Sequence, residues 1–269
     1  MTQETEYHEL ESMFYGSVPY IMGTRFGLLM FGPSSKKAED IWKDICLRLE
    51  HLDKMLNRFD EGSVLFKLNS LLSEKKEAWI DEEMEKILYI CKDYHIKTKG
   101  FFDISLDDFS KIEISQRRIR ASRCGMSLDF GGLAKGYVLE NIKARLLEEG
   151  VENAFVDFGG SSILGLGHHP YGDSWKVQLK NPLNGQLLKE FLLRDSALSI
   201  SGNTRDYNGH ILNPHSGVAN KKKMLCSVEG LGPLDAEVLS TVVMAAGNLP
   251  EDEILKAFGR VDINIFETE

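Results

Sequence analysis

Ser127–Tyr137, reading SLDFGGLAKGY, is the stretch of this sequence whose residue types best suit chemistry. Gly131 and Gly132 lack Cβ atoms, so the backbone there can adopt positive φ and lie close to a ligand or another chain segment. A helix opening after a glycine turn offers unpaired N–H groups and a partial positive charge, which suits a phosphate. The same residues also suit a tight packing turn. A second pair is Glu237 and Thr241, four apart in a helical pattern, so both oxygens share one face. Two hard oxygen donors plus a backbone carbonyl would suit Mg²⁺, which keeps waters and phosphate oxygens in its other positions. As a bare i, i+4 pair they equally describe a cap or a surface contact.

Several common chemistries are absent. Lys135 is followed by Gly136 rather than Ser or Thr, so the glycine turn is not a phosphate loop of the GxxxxGK[ST] type. Gly165, Gly167 and Gly172 miss the final spacing of GxGxxG, and Ser161 and Ser162 fail the GxSxG elbow. His168-His169 and the His210–His215 pair form no HExxH or helical i, i+4 arrangement. Cys46, Cys91, Cys124 and Cys226 are scattered without CxxC or short Cys/His spacing, so neither a structural zinc site nor a disulfide scaffold is indicated.

The elements that must hold these residues follow from periodicity and punctuation. Thr24–Phe31 reads as a strand closed by Gly32-Pro33, and a helix capped at Ser34 or Ser35 carries Ile41, Ile45, Leu49, Leu52, Met55 and Leu56 at helical spacing. Arg58–Ser63 reads as a polar turn leading to a short segment ending at Asn69. A second helix runs from Asp81 to Gly100, and residues 111–123 suit an exposed hairpin. Ser127–Phe130 reads as a central strand, followed by a helix to Glu149 and a strand over Asn153–Asp157. Further strands are expected over 162–166, 174–179, 187–193, 197–201 and 261–266, with a late helix over 235–246. Strands and helices do not alternate regularly, so the fold class is α+β. One compact domain over 19–269, with two lobes, follows an N-terminal arm at 1–18.

The 269 residues are 42% hydrophobic and 27% charged, ordinary for a globular chain, and the net charge of −9 argues against nucleic acid as a partner. No apolar run reaches the roughly 18 residues of a membrane span. The acidic, polar beginning lacks the features of a signal peptide, so a cytoplasmic location is expected.

Set in order, the polar and glycine clusters resemble the ApbE family of flavin transferases. Met22-Gly23-Thr24-x-Phe26 is similar to its MGTxF, Ser63–Asn69 to its SexsrlN, and Phe102-Asp103 to its FDpT. LDFGGLAKGY resembles lDlGGiAKGya, Gly159-Gly160 the glycines of GGD, Ser201-Gly202 and His210–Gly217 the SG and HIiDPrTG turns, and Ala236–Thr241 the ADalaT helix. The resemblance implies a T-fold-like domain with a flavin cleft, and an activity moving FMN from FAD to a Thr or Ser hydroxyl of an acceptor protein, with release of AMP. It implies FAD contacts from Met22, Gly23, Thr24, Asn57, Asp103, Asp129, Gly132, Lys135, Gly159, Gly160, Ser201, Gly202 and His210. It further implies Mg²⁺ held by the Ala134 carbonyl, Glu237 and Thr241. His210 would handle a proton or orient phosphate, and Lys135 would meet the phosphates or anchor the turn.

This chain departs from the pattern at four positions. Glu237 and Asn213 stand where the family has Asp, Ser161 replaces the Asp of GGD, and Ser105 replaces the Thr of FDpT. The family's lipid-anchored, exported beginning is also missing from the expected pattern. Fewer carboxylates near a metal–phosphate site are expected to weaken Mg²⁺ binding or alter the reaction. FAD hydrolysis to FMN and AMP, and flavin binding without turnover, are therefore the alternative readings.

Overall fold

An eight-stranded antiparallel sheet carries the helices that shape the site. The computed structural model describes residues 2–105, 107–203, 211–230 and 232–268. In chain order the elements are β1 (Glu4–His8), β2 (Met13–Ile21), β3 (Thr24–Phe31), α1 (Ser35–Leu56), α2 (Val64–Ser73), β4 (Ala78–Trp79), α3 (Glu82–Lys97), β5 (Ile112–Ser115), β6 (Arg118–Ala121) and α4 (Ala134–Glu148). There follow β7 (Asn153–Phe158), β8 (Ser162–Leu166), β9 (Trp175–Lys180), β10 (Leu187–Leu193), β11 (Ser196–Gly202), β12 (Leu212–Asn213), β13 (Val218–Ala219), β14 (Met224–Gly230), α5 (Pro233–Ala246), α6 (Asp252–Lys256) and β15 (Val261–Glu267). The large sheet runs β1-β2-β3-β7-β8-β11-β14-β15.

Side-chain alternation divides this sheet between two cores. Leu164 and Leu166 of β8, with Ala197 of β11, face the main core, where α1, α4 and α5 pack. Ile163 and Leu198 point the other way, into a smaller cluster closed by Trp175, Phe191 and Leu193 of the β9–β10 hairpin. The main core is continuous from Phe14 to Phe258, and it includes α2, α3 and the small β4-β6-β5 sheet. The α+β class and single compact domain expected from the sequence are thus realised. No helix among the described residues is long and apolar enough to cross a membrane.

Three local readings change. Residues 1–18, expected as an arm, supply β1 and most of β2. Gly16 and Pro19 look like strand breakers. Yet a Cβ at Gly16 would lie 2.7 Å from Trp42, so the ring requires the glycine, while Pro19 sits where the β2–β3 register shifts. The short segment after Ser63 is the helix α2, with Leu65, Leu68 and Leu72 buried at helical spacing and the Ser63 hydroxyl accepting from Phe66 N–H at 3.0 Å.

Ser127–Phe130 is extended but belongs to no sheet. The Asn69 side chain stands in for a neighbouring strand: its Oδ1 accepts from Leu128 N–H at 2.7 Å and its Nδ2 donates to Leu128 O at 2.9 Å. An amide carries the donor and acceptor that a strand edge would have offered, so the buried backbone is satisfied without a ladder. Strand β14, between β11 and β15, was not expected at all; its MLCSVEG sequence follows a lysine run and lacks alternation.

Candidate functional site

The site is built where α4 and α5 meet with almost no side chain between them. A Cβ on Gly136 would lie 2.7 Å from Glu237 Cβ and 2.9 Å from the Pro233 carbonyl, so only glycine permits this approach. One residue earlier, Lys135 reaches back across the contact, and its Nζ lies 2.9 Å from Glu237 Oε1. The carboxylate side chain is 5% exposed and the lysine 23%. Charges this far from water persist only when paired and hydrogen-bonded.

The sheet supplies the remaining bonds. Ser162 of β8 and Ser199 of β11 are register partners, facing the helices side by side. Both hydroxyls donate to Glu237 Oε2, at 2.6 and 2.8 Å. Lys135 Nζ also donates to the Ser161 and Ser162 hydroxyls, each at 2.9 Å. Ser240 Oγ, one α5 turn along, lies 2.9 Å from Ser199 Oγ and 2.8 Å from Ser201 Oγ. Ser199 and Ser201 share a face because they are two apart on a strand, a signal the sequence carries in ALSISG.

Thr241 takes the position expected of it, on the same α5 face as Glu237. A Cβ on Gly132 would lie 2.9 Å from Thr241 Cγ2, and the Thr241 hydroxyl donates to the Glu237 carbonyl at 3.1 Å. The glycine turn is partly closed upon itself: Leu133 and Ala134 N–H both donate to Phe130 O, and Gly131 N–H donates to Asp129 Oδ1. Asp129 Oδ2 in turn accepts from Arg58 Nη1 at 2.6 Å, an ion pair joining the turn to the segment after α1.

Above this floor lies a cavity of about 580 Å³, within the usual range for small-molecule sites. Of the residues expected to meet FAD, it is lined by Met22, Gly23, Thr24, Asp103, Asp129, Gly132, Lys135, Gly159, Ser201 and Gly202, with Glu237 and Thr241 beside them. Six sequence-distant clusters therefore converge on one space. Gly159, at φ 68°, packs against Thr24, where any side chain would collide. Phe101, Ile200, Ile211, Leu212 and Pro214 add apolar wall.

Other expected contacts lie elsewhere. Asn57 ends α1: its Oδ1 accepts from Phe59 N–H and its carbonyl from the Ser63 hydroxyl, and it does not line the cavity. Nearby, burial raises the pKa of Asp53 above the usual carboxylate range. Gly160 N–H donates to Asp157 Oδ1 outside the lining. Asp103 borders the cavity, but its carboxylate accepts from Ser105 N–H, Ser105 Oγ and Phe109 N–H, which ties the loop after α3. Asn213 likewise accepts from His215 and Ser216 N–H, so asparagine does there what aspartate would do in the same turn. His210 lies outside the described residues.

The expected Mg²⁺ donors can be tested on this arrangement. The Thr241 hydroxyl packs against Gly132 while donating to the Glu237 carbonyl, and Ala134 stands at the first position of α4. Glu237 is different. Its two oxygens already accept from one ammonium and two hydroxyls, and the ammonium neutralises the charge a divalent ion would seek. With Lys135 in place, this donor set does not fit a divalent cation.

The ApbE family model matches residues 105–263, a span that contains the glycine turn, the serine pair and α5. The FAD:protein FMN transferase of Salmonella typhimurium is 20% identical over 88% of this chain and 80% of its own length. In solved structures, the flavin transferase ApbE from Vibrio cholerae superposes with a TM-score of 0.77 at 16% identity, covering 97% of this chain and 93% of that one. The ApbE protein from Thermotoga maritima gives 0.78 at 20% identity, covering 95% and 97%. With the family model spanning more than half of the sequence and both structures reproducing nearly the whole fold, the chain belongs to the ApbE family.

Proposed function

We propose that this chain is a flavin transferase that binds FAD in the cavity above the α4–α5 contact and passes FMN to a Thr or Ser hydroxyl of an acceptor protein. The acceptor oxygen bonds to the FMN phosphorus, the pyrophosphate P–O bond breaks, and AMP departs as the hydroxyl proton is released. The observation that carries this reading is the convergence of Met22–Thr24, Asp129–Gly132, Gly159 and Ser201-Gly202 on one cavity of about 580 Å³. The naming of the Salmonella relative as an FAD:protein FMN transferase supports the reaction class.

The residues on hand act through position and polarity. Gly131 and Gly132 line the cavity just before the start of α4, where a pyrophosphate would meet the backbone. Lys135, paired with Glu237, and the Ser161 and Ser201 hydroxyls line the cavity wall beside that turn. Phosphoryl transfer depends chiefly on such placement, so an activated nucleophile within this chain is not required. Magnesium, implied by the resemblance, would reach Ala134, Thr241 and Glu237 only with Lys135 displaced from the carboxylate, so the transfer is not routed through it.

Incubation of the purified chain with FAD and Mg²⁺, with and without an acceptor protein, tests the reading by AMP release. AMP formed only with acceptor supports transfer, whereas AMP without acceptor identifies hydrolysis. Retained flavin with no AMP in either case would replace transfer with flavin binding alone, the reading that the occupied Glu237 carboxylate favours.

A further inference from the structure

We propose that Lys135 is a tethered cation occupying the divalent-ion position on Glu237, so that this site binds Mg²⁺ weakly and only by displacing the ammonium. The argument starts from the partners of Lys135 Nζ: Ser161 Oγ, Ser162 Oγ and Glu237 Oε1, each at 2.9 Å. Three acceptors match the three N–H bonds of an ammonium, and only one of them is anionic. Glu237 is held just as fully, with Ser162 and Ser199 on its other oxygen. The two charges thus complete each other, and neither is left to attract an ion.

A divalent ion on Glu237 Oε1 would share that oxygen with the lysine ammonium in a setting where the carboxylate is 5% exposed. Repulsion between the two cations is poorly screened there, so Lys135 must leave first. Leaving strands the ammonium among neutral hydroxyls, because Ser161 and Ser162 offer no charge. Ser161 is therefore the controlling position. It lines the cavity and touches Nζ, so a carboxylate there would give Lys135 another anion and release Glu237. Glu237 Oε1 would then be exchangeable in the cavity that Thr241 and the glycine turn also line, with Oε2 still held by Ser162 and Ser199.

This inference concerns the cavity assigned to flavin but does not depend on turnover. Failure of the flavin reading would appear as missing flavin and AMP, and would leave the ion measurement intact. The probe is Mn²⁺ alone, titrated into the full chain and followed by loss of the free-ion paramagnetic resonance signal, with Mg²⁺ as competitor. Ser161→Asp and, separately, Lys135→Met should each bind Mn²⁺ at least about tenfold more tightly than the unaltered chain, as expected when a competing adjacent cation is removed. Adding Glu237→Gln to Ser161→Asp should abolish the gain. Two variants guard against one failing to fold, which circular dichroism reports. Equal Mn²⁺ affinity across the unaltered chain and the folded variants would overturn the proposal, as would a gain that survives Glu237→Gln.

Discussion

Gly136 on α4 lies directly against Glu237 on α5, with room for no Cβ between them. That contact sets how near Lys135 can come to the carboxylate, because both belong to the same crossing. Gly136→Ala would favour the helix by about 1 kcal/mol on propensity alone. Sterically it must push α5 away, at a cost of about 1–3 kcal/mol for overpacking. We expect a net loss of stability, read as a lower urea midpoint with unchanged slope. A higher midpoint would mean that the helices separate freely.

A second prediction concerns the extended segment entering the glycine turn. Asn69 holds both polar groups of Leu128, which is fully buried. Asn69→Ala strands that N–H and C=O and should cost about 2–3 kcal/mol. Hydrogen exchange should quicken at Leu128 and the turn beyond it before it changes in β7 or β8. Uniform acceleration across the chain would show that Asn69 merely contributes to global stability.

These two residues mark how far the sequence could be read. Gly136 and Asn69 both stood within recognisable clusters, yet their work is to position other groups, which residue type alone does not reveal. Regular elements with strong periodicity, such as α1 and α3, were legible because burial follows the helical repeat. Ser127–Phe130 has the apolar alternation of a strand, yet its hydrogen bonds run to the Asn69 side chain and the Ile104 carbonyl rather than to a ladder. The convergence of Met22–Thr24 and Gly159 was expected only through resemblance. Their contact is a product of β3–β7 pairing, which has no local signature. The Lys135–Glu237 ion pair was hidden for the same reason, since four elements must meet before the serines reach it.

Thiol chemistry gives a third prediction. All four cysteines are free; Cys46, Cys91 and Cys226 are buried, and Cys124 is exposed. Burial pushes the Cys46 and Cys226 thiols up to about 12 and raises Cys91 well above its ordinary value. Only thiolates react readily, so a disulfide reagent near neutral pH should modify Cys124 quickly in the native chain. The other three should follow only upon unfolding. Rapid native labelling of Cys226, identified by peptide mapping, would mean that β14 opens locally.

The fourth prediction follows from Arg48, which grips both oxygens of Glu83 while Asn141 Oδ1 accepts from the same guanidinium. Hydrogen bonding from Arg48 is the largest influence on Glu83 and outweighs its burial, lowering the carboxyl pKa from 4.5 to about 2. Because the folded value lies below the unfolded one, the unfolded chain takes up this proton first as pH falls. The stabilisation is therefore complete above about pH 4.5 and is lost as pH drops through about 2. Urea midpoints should decline across that window in the unaltered chain, with a shallower decline in Glu83→Gln. The variant should be the less stable of the two at neutral pH, and the two should converge in acid. Parallel pH profiles would show that the Arg48–Glu83 pair exists in the fold without coupling to its stability.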